Sequence, residues 1–201
     1  MTTKRLPAEK RRKQILRSAI KVFARATYHG ATTKSISEEA GVTEALIYRY
    51  FGSKRVLFTE AIDFTTARTV RGLERVLEEH LDDPMKALEA CFAYYVDLLD
   101  KNNDSARILF LVLSELDQED IREVYLPHQE RALKVIAHAI RHWKSKGFVS
   151  ESIDTGSAAW LYFGTYIVLA LVKYSYGSLE IDVDYALGLA KPYVNMGVFD
   201  D

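Results

Sequence analysis

Cysteine is nearly missing from this chain of 201 residues. Cys91 stands alone, which excludes an intrachain disulfide framework and suits a reducing compartment. Four prolines and ten glycines are few, and 48% of the residues are apolar, so a mostly helical globular protein is expected. No segment alternates with period two for long enough to make strands, and there are no internal repeats or low-complexity tracts. A Gly-rich phosphate loop and a nucleophile elbow are also missing, so no catalytic residue and no cofactor are expected. The longest apolar stretch, residues 158–172, falls short of the roughly 20 that a membrane span requires. It is interrupted by Gly164 and Thr165, and a buried helix is expected there. Residues 1–14 are basic and polar with no apolar h-region behind them, which predicts a cytoplasmic protein with no membrane partner.

What is present is a division of charge. The net charge is −1, but residues 1–55 hold 13 Lys/Arg and 4 Asp/Glu, a net of +9. The remaining 14 basic and 24 acidic residues give −10. A basic head on an acidic body favours docking of a polyanion in one orientation. The plainer alternative is a solvated run of charge.

Residues 33–54, TKSISEEAGVTEALIYRYFGSK, read as two short helices joined by a tight turn, followed by the start of a third. Thr33 and Thr43 are the expected N-caps, each hydroxyl able to accept a free N–H of the first turn. Gly41 falls where a chain reversal can require positive φ. Ile36, Ala40, Val42, Ile47 and Phe51 form one inner face, leaving Thr43, Glu44, Ala45, Tyr48 and Arg49 outside. That is the layout of a helix-turn-helix DNA reader. In a major groove Arg49 can donate to guanine, Glu44 can accept from cytosine N4, and the methyls of Thr43 and Ala45 can touch thymine.

Over residues 31–62 the sequence resembles the DNA-binding signature of TetR-type transcriptional regulators. The matching features are a threonine before the first short helix, Ala-Gly-Val at the turn, aromatics in the second helix, then Phe-x-Ser-Lys and a long apolar helix. Tyr50 stands where that family often has histidine. The resemblance implies phosphate contacts from Thr33, Tyr48, Tyr50 and Lys54; for Tyr50 the alternative is a cover over the small core. It also implies an effector held within a helical body. The N-terminal tail, with Lys4, Arg5, Lys10, Arg11, Arg12 and Lys13, can reach the adjacent backbone or minor groove.

The predicted architecture is all-α: a three-helix DNA-binding domain over residues 1–53, then a ligand-binding and dimerisation bundle over 54–201, about nine helices in total. The first helix is expected over 7–26, with Ile15, Leu16, Ala19, Val22 and Phe23 inside. A long helix over 54–80, polar in the middle, links head to body. A helix over 85–101 and an apolar one over 106–116 follow, with an acidic connector over 115–120. Pro127 is expected to split the next pattern into a short helix and a long one over 128–146. Asp154 or Thr155 caps the apolar helix, which runs to about 176, and a last helix covers 182–196, kinked at Pro192.

The body is rich in aromatics. Phe64, Arg68, Tyr95, Phe110, His128, Trp160 and Tyr166 are the candidate ligand-binding residues, for an apolar or aromatic effector such as a fatty acyl thioester. For any single aromatic, plain core is the competing reading; Arg68 can pair an anionic ligand group or an adjacent carboxylate. Two helix-turn-helix units on a near-palindromic double-stranded operator imply a homodimer. The apolar helix and Tyr185, Leu189, Tyr193 and Val194 can supply its interface, or belong to the monomer core. His138 and His142, four apart, have metal-compatible spacing but no third ligand, so no metal is expected, and Cys91 is expected to be inert packing. The expected function is a repressor released by a small effector. The alternative is a helical carrier or enzyme for an acidic lipid or phosphorylated ligand, which would show no preference among DNA sequences.

Overall fold

The structure, a computed structural model, describes residues 7–101, 103–176, 184, 185 and 188. The expected helix over 182–196 lies essentially outside those residues, as do Lys4, Arg5, Leu189, Tyr193 and Val194. Among the described residues there are eight helices of eight residues or more and no strand: α1 (Ala8–Gly30), α2 (Thr33–Ala40), α3 (Glu44–Phe51), α4 (Lys54–Glu79), α5 (Pro84–Lys101), α6 (Asn103–Ser114), α7 (Glu119–Ser145) and α8 (Thr155–Tyr176).

Helix α1 begins at the expected proline: Pro7 is its N-cap, where the missing N–H is no loss. Its regular part ends at Ala26, because Thr27 takes φ 62°, ψ 177°. A β-branched residue at positive φ is strained. Ile15, Leu16, Ala19, Ile20 and Phe23 are buried, while Val22 is only half-buried against the same core.

The chain divides into two compact units, Met1–Ala67 with Asn103–Leu126, and Arg68–Asn102 with Pro127–Asp201. Both divisions inside helices fall at features legible in the sequence. One lies in the Thr-rich middle of α4, where Thr65 and Thr66 are nonetheless buried. Thr66 returns its hydroxyl to the Ile62 carbonyl at 2.7 Å, which lets a polar side chain be buried at little cost. The other lies at Pro127.

The structure corrects the reading of that proline. Pro127 sits inside the single helix α7 and does not divide it. Proline removes one N–H and frees the carbonyl four residues back. Glu123 and Pro127 are both exposed, so water can take that carbonyl. The acidic connector is also shorter than expected, because Glu119 and Asp120 form the first turn of α7, where carboxylates oppose the positive end of the helix dipole.

The first unit closes around Phe23, Ile36, Ile47, Leu57, Phe58, Ile62, Ile108 and Ile121, all fully buried. Phe23 and Phe58 meet edge to face at 4.8 Å, and Tyr28 leans on Phe58 at 4.9 Å. Arg55 grips Asp120 through two bonds of 2.6 and 2.5 Å, holding the Asp120 carboxyl below its ordinary range.

In the second unit, Trp143 donates its indole N–H to the Leu81 carbonyl at 2.7 Å, tying α7 to the turn after α4. Gly147 ends α7 at φ 79°, where a side chain would be strained. Asp154 caps α8 by accepting from the Ser157 N–H at 2.8 Å.

Candidate nucleic-acid interface

The helix-turn-helix forms as the sequence implies, with one shift. The N-cap of α2 is Thr32, not Thr33: the Thr32 hydroxyl accepts from the Ser35 N–H at 3.0 Å, and the Ser35 hydroxyl accepts from the Thr32 N–H at 3.2 Å. This reciprocal capping box satisfies two orphan donors. It releases Thr33, the first helical residue, for another bond. Thr43 is the N-cap of α3 by its extended backbone, without a side-chain cap bond.

Gly41 adopts φ 62°, ψ 39°. The Val42 N–H then reaches back to the Ser37 carbonyl at 3.0 Å, the closing bond of a left-handed helix end. Gln14 of α1 donates to the Ala40 carbonyl at 2.8 Å, so the turn is fixed from behind. Ile36, Ala40, Ile47 and Phe51 are buried, with Val42 half-buried against them. Thr43, Glu44, Ala45, Tyr48 and Arg49 are all exposed, Tyr48 by 50%.

Several of these candidates hold one another in place. Thr33 donates to the Glu44 carboxylate at 2.6 Å, and its hydroxyl lies 3.4 Å from the Tyr48 hydroxyl. The start of α2 thus orients two side chains of α3 that are four residues apart, on one face. Arg49 lies over the ring of Tyr50 at 5.6 Å, a contact that fixes the arm without neutralising its charge. Tyr50 is half-buried against the core. Lys54 donates to the carbonyls of Tyr28 and Ala31 at 3.0 and 2.9 Å and sits over the Tyr28 ring, which spends two of its three ammonium hydrogens inside the protein. Of the tail, Arg12 is engaged with Glu60 and with the ring of Phe51, while Lys10 and Lys13 are exposed.

The candidate ligand residues are spread out. Tyr95 and Tyr166 meet edge to face at 4.8 Å, with Phe92 5.8 Å from Tyr166. The Tyr166 hydroxyl donates to Tyr162 at 2.7 Å. Burial raises both phenols well above their ordinary range and pushes the neighbouring Cys91 thiol up to about 11. Cys91 is therefore a neutral packing group, as expected. Arg68 lines a cleft of about 400 Å³ with Arg71, Arg75 and Tyr94, three partners that the reading of the sequence missed. Their signal was present: arginines at i, i+3 and i+7 share one helix face. Phe64 and Phe110 belong to the first unit, Phe64 packing on its core, and His128 is half-buried on α7. Trp160 is 54% exposed.

That exposure belongs to a pattern. Trp160, Leu161, Ile167, Val168 and Leu171 are all open on α8, while Ala159, Thr165, Tyr166, Leu169 and Ala170 are buried. The helix expected to be buried is thus buried along one side and exposes an apolar face along the other. Where the sequence suggests a stretch too short for a membrane span, the helix has a 21-residue stretch apolar enough to cross one by length and composition, and only 22% of its apolar window is buried within the chain. His142 lies 2.9 Å from the Asp82 carboxylate.

Comparison with known proteins places these features. Residues 15–61 match the model of the tetR family of bacterial regulatory proteins, a span that contains the whole helix-turn-helix. The transcriptional activator FasR of Mycolicibacterium smegmatis is 29% identical over 106 residues, 53% of this chain and 48% of that protein. The transcriptional repressor NicS of Pseudomonas putida is 32% identical over 102 residues, 51% of this chain and 48% of that protein. The chain thus spans about half the length of these curated relatives. The crystal structure of FadR from Bacillus subtilis in complex with stearoyl-CoA shares the fold, with a TM-score of 0.74, 20% identity, and coverage of 89% of this chain and 95% of that one. Residues 15–61 of this chain thus carry the helix-turn-helix of the tetR family of bacterial regulatory proteins, within an all-α fold shared with solved transcriptional regulators.

Proposed function

We propose that the protein is a ligand-responsive DNA-binding regulator, cytoplasmic, acting as a homodimer on a near-palindromic operator and released by a hydrophobic small-molecule effector. The observation that carries the reading is the α3 face: five exposed side chains, Thr43, Glu44, Ala45, Tyr48 and Arg49, on a helix whose opposite side is anchored by the buried Ile47 and Phe51. A helix so held presents base-reading groups in a defined register. The functional division we infer is DNA binding in 1–53 and ligand binding with dimerisation in 54–201.

The effector reading is supported by the aromatic cluster around Tyr95 and Tyr166 and by the stearoyl-CoA found with the Bacillus subtilis neighbour. A fatty acyl thioester is therefore the effector class to try first. Helices α4 and α7 each have residues in both units, so both are covalent routes from one to the other. Dimeric readers need their two recognition helices about 34 Å apart, one turn of DNA. An effector that favours another spacing releases the operator by its differential affinity for the two states. Relief of repression is the expected sign. The carrier alternative has no use for a capped, exposed recognition helix.

The direct test is operator affinity, measured by anisotropy with and without stearoyl-CoA. Weaker binding with the thioester is expected, and equal affinities would remove the switch while leaving DNA binding intact. Arg49→Ala is expected to cost roughly 1–3 kcal/mol and to relax preference at one operator position. A uniform loss across all sequences would make Arg49 a backbone contact instead.

A further inference from the structure

Arg68, Arg71 and Arg75, in the second half of α4, are unusual in their setting. Residues 56–201 carry far more acid than base, yet Arg68 and Arg71 make no ion pair among the described residues. Arg75 has only Glu79, at 3.8 Å and with both partners largely exposed. Spaced at i, i+3 and i+7, the guanidiniums share one helix face and repel one another. Across the cleft α5 offers Tyr94, Asp97 and Leu98. Three cations and the one carboxylate leave the lining at a net of +2, which matches a dianion.

The cleft is also shaped by a close approach. A Cβ on Gly72 would lie 2.0 Å from the Tyr94 hydroxyl oxygen and 2.1 Å from its ring. Glycine within a helix costs about 1 kcal/mol relative to alanine, and here it is what admits the phenol onto the α4 backbone. The Tyr94 hydroxyl donates to the Arg68 carbonyl at 3.4 Å, so tyrosine and arginine are held side by side at the mouth. The cleft, at about 400 Å³, has room for more than a bare anion.

We propose that the cleft of Arg68, Arg71, Arg75 and Tyr94 is an anion site that takes the phosphate or diphosphate group of a small organic effector. The guanidiniums supply forked donors that match phosphate oxygens, and Tyr94 and Leu98 supply the apolar wall for the body that carries the phosphate. The proposal rests on the effector reading above and adds to it where the charged end of that effector sits.

Isothermal titration of the full chain with sodium pyrophosphate, and separately with adenosine diphosphate, tests it against sodium chloride at matched ionic strength. Saturable binding of both is expected, weakened about tenfold or more in Arg71→Gln. Arg17→Gln, an exposed arginine of α1, is expected to bind as the parent does. Heat that chloride reproduces, or equal loss in both variants, overturns the site. Pyrophosphate binding without adenosine diphosphate binding marks a free-anion site and overturns the effector assignment. These titrations contain no operator, so failure of thioester release on DNA is read separately from failure here.

Discussion

In the homodimer proposed above, glutamate at both Trp160 and Leu171 is expected to give a monomer and to weaken binding to the proposed operator by about 10²–10⁴-fold, the gain that linking two binding units provides. Each of these side chains is 54% exposed in the single chain, and surface substitutions usually change stability by less than about 0.5 kcal/mol. With Leu161, Ile167, Val168 and Gly164 they form one stripe along α8, roughly 17 Å from end to end at 1.5 Å per residue. Nothing lies within 4 Å of a Cβ built on Gly164, so a partner helix can come close there. A carboxylate buried in an apolar contact loses its hydration without gaining a partner, and two per chain put four in a two-fold interface. Sedimentation equilibrium gives the mass, far-UV circular dichroism shows that the helices persist, and titration against full and half operators gives the affinity. A double variant that still sediments as a dimer would show that α8 is not the interface.

The second large effect is on stability. Phe58→Ala is expected to destabilise the protein by about 3–5 kcal/mol, a large part of the 5–15 kcal/mol that holds a typical domain folded. Phe58 is fully buried and touches both Phe23 and Tyr28. Removing its ring opens a cavity beneath Tyr28, whose face carries the Lys54 ammonium at 4.4 Å and the Arg55 guanidinium at 5.0 Å. The carbonyls that Lys54 binds flank the entry to α2, so operator binding is expected to fall with stability. Val56→Ala, two residues away and 44% exposed, should be nearly neutral. Urea midpoints of the two variants decide the matter: equal midpoints would mean that the aromatic cluster contributes little.

What the sequence makes legible follows the range of the interaction involved. The inner face of the helix-turn-helix and the positive φ of Gly41 were legible, because helical period and steric limits act over a few residues. The cap of α2 was misplaced by one residue: Thr32 and Thr33 both carry a hydroxyl, and the choice depends on which backbone turns extended. Pro127 was read as a break because proline forfeits one bond, but exposure lets water replace it and the helix continues. In α8 nearly every position is apolar, so periodicity could not say which side would be covered. The same ambiguity holds among the ligand candidates. Tyr95 and Tyr166 meet across two helices, but composition could not separate them from Trp160, which faces outward.

The sequence alone determined that this chain is all-α, with a basic helix-turn-helix of TetR type joined by a long helix to an acidic, aromatic body. Those features rest on local propensity, period and charge, which need no partner. Only the tertiary structure decided which groups face each other. It turned Thr33 towards Glu44, committed Lys54 to the carbonyls before α2, seated Tyr94 on Gly72 beside three arginines, and left one side of α8 open. Each of these depends on contacts between residues far apart in the chain, and such contacts exist only once the helices have packed.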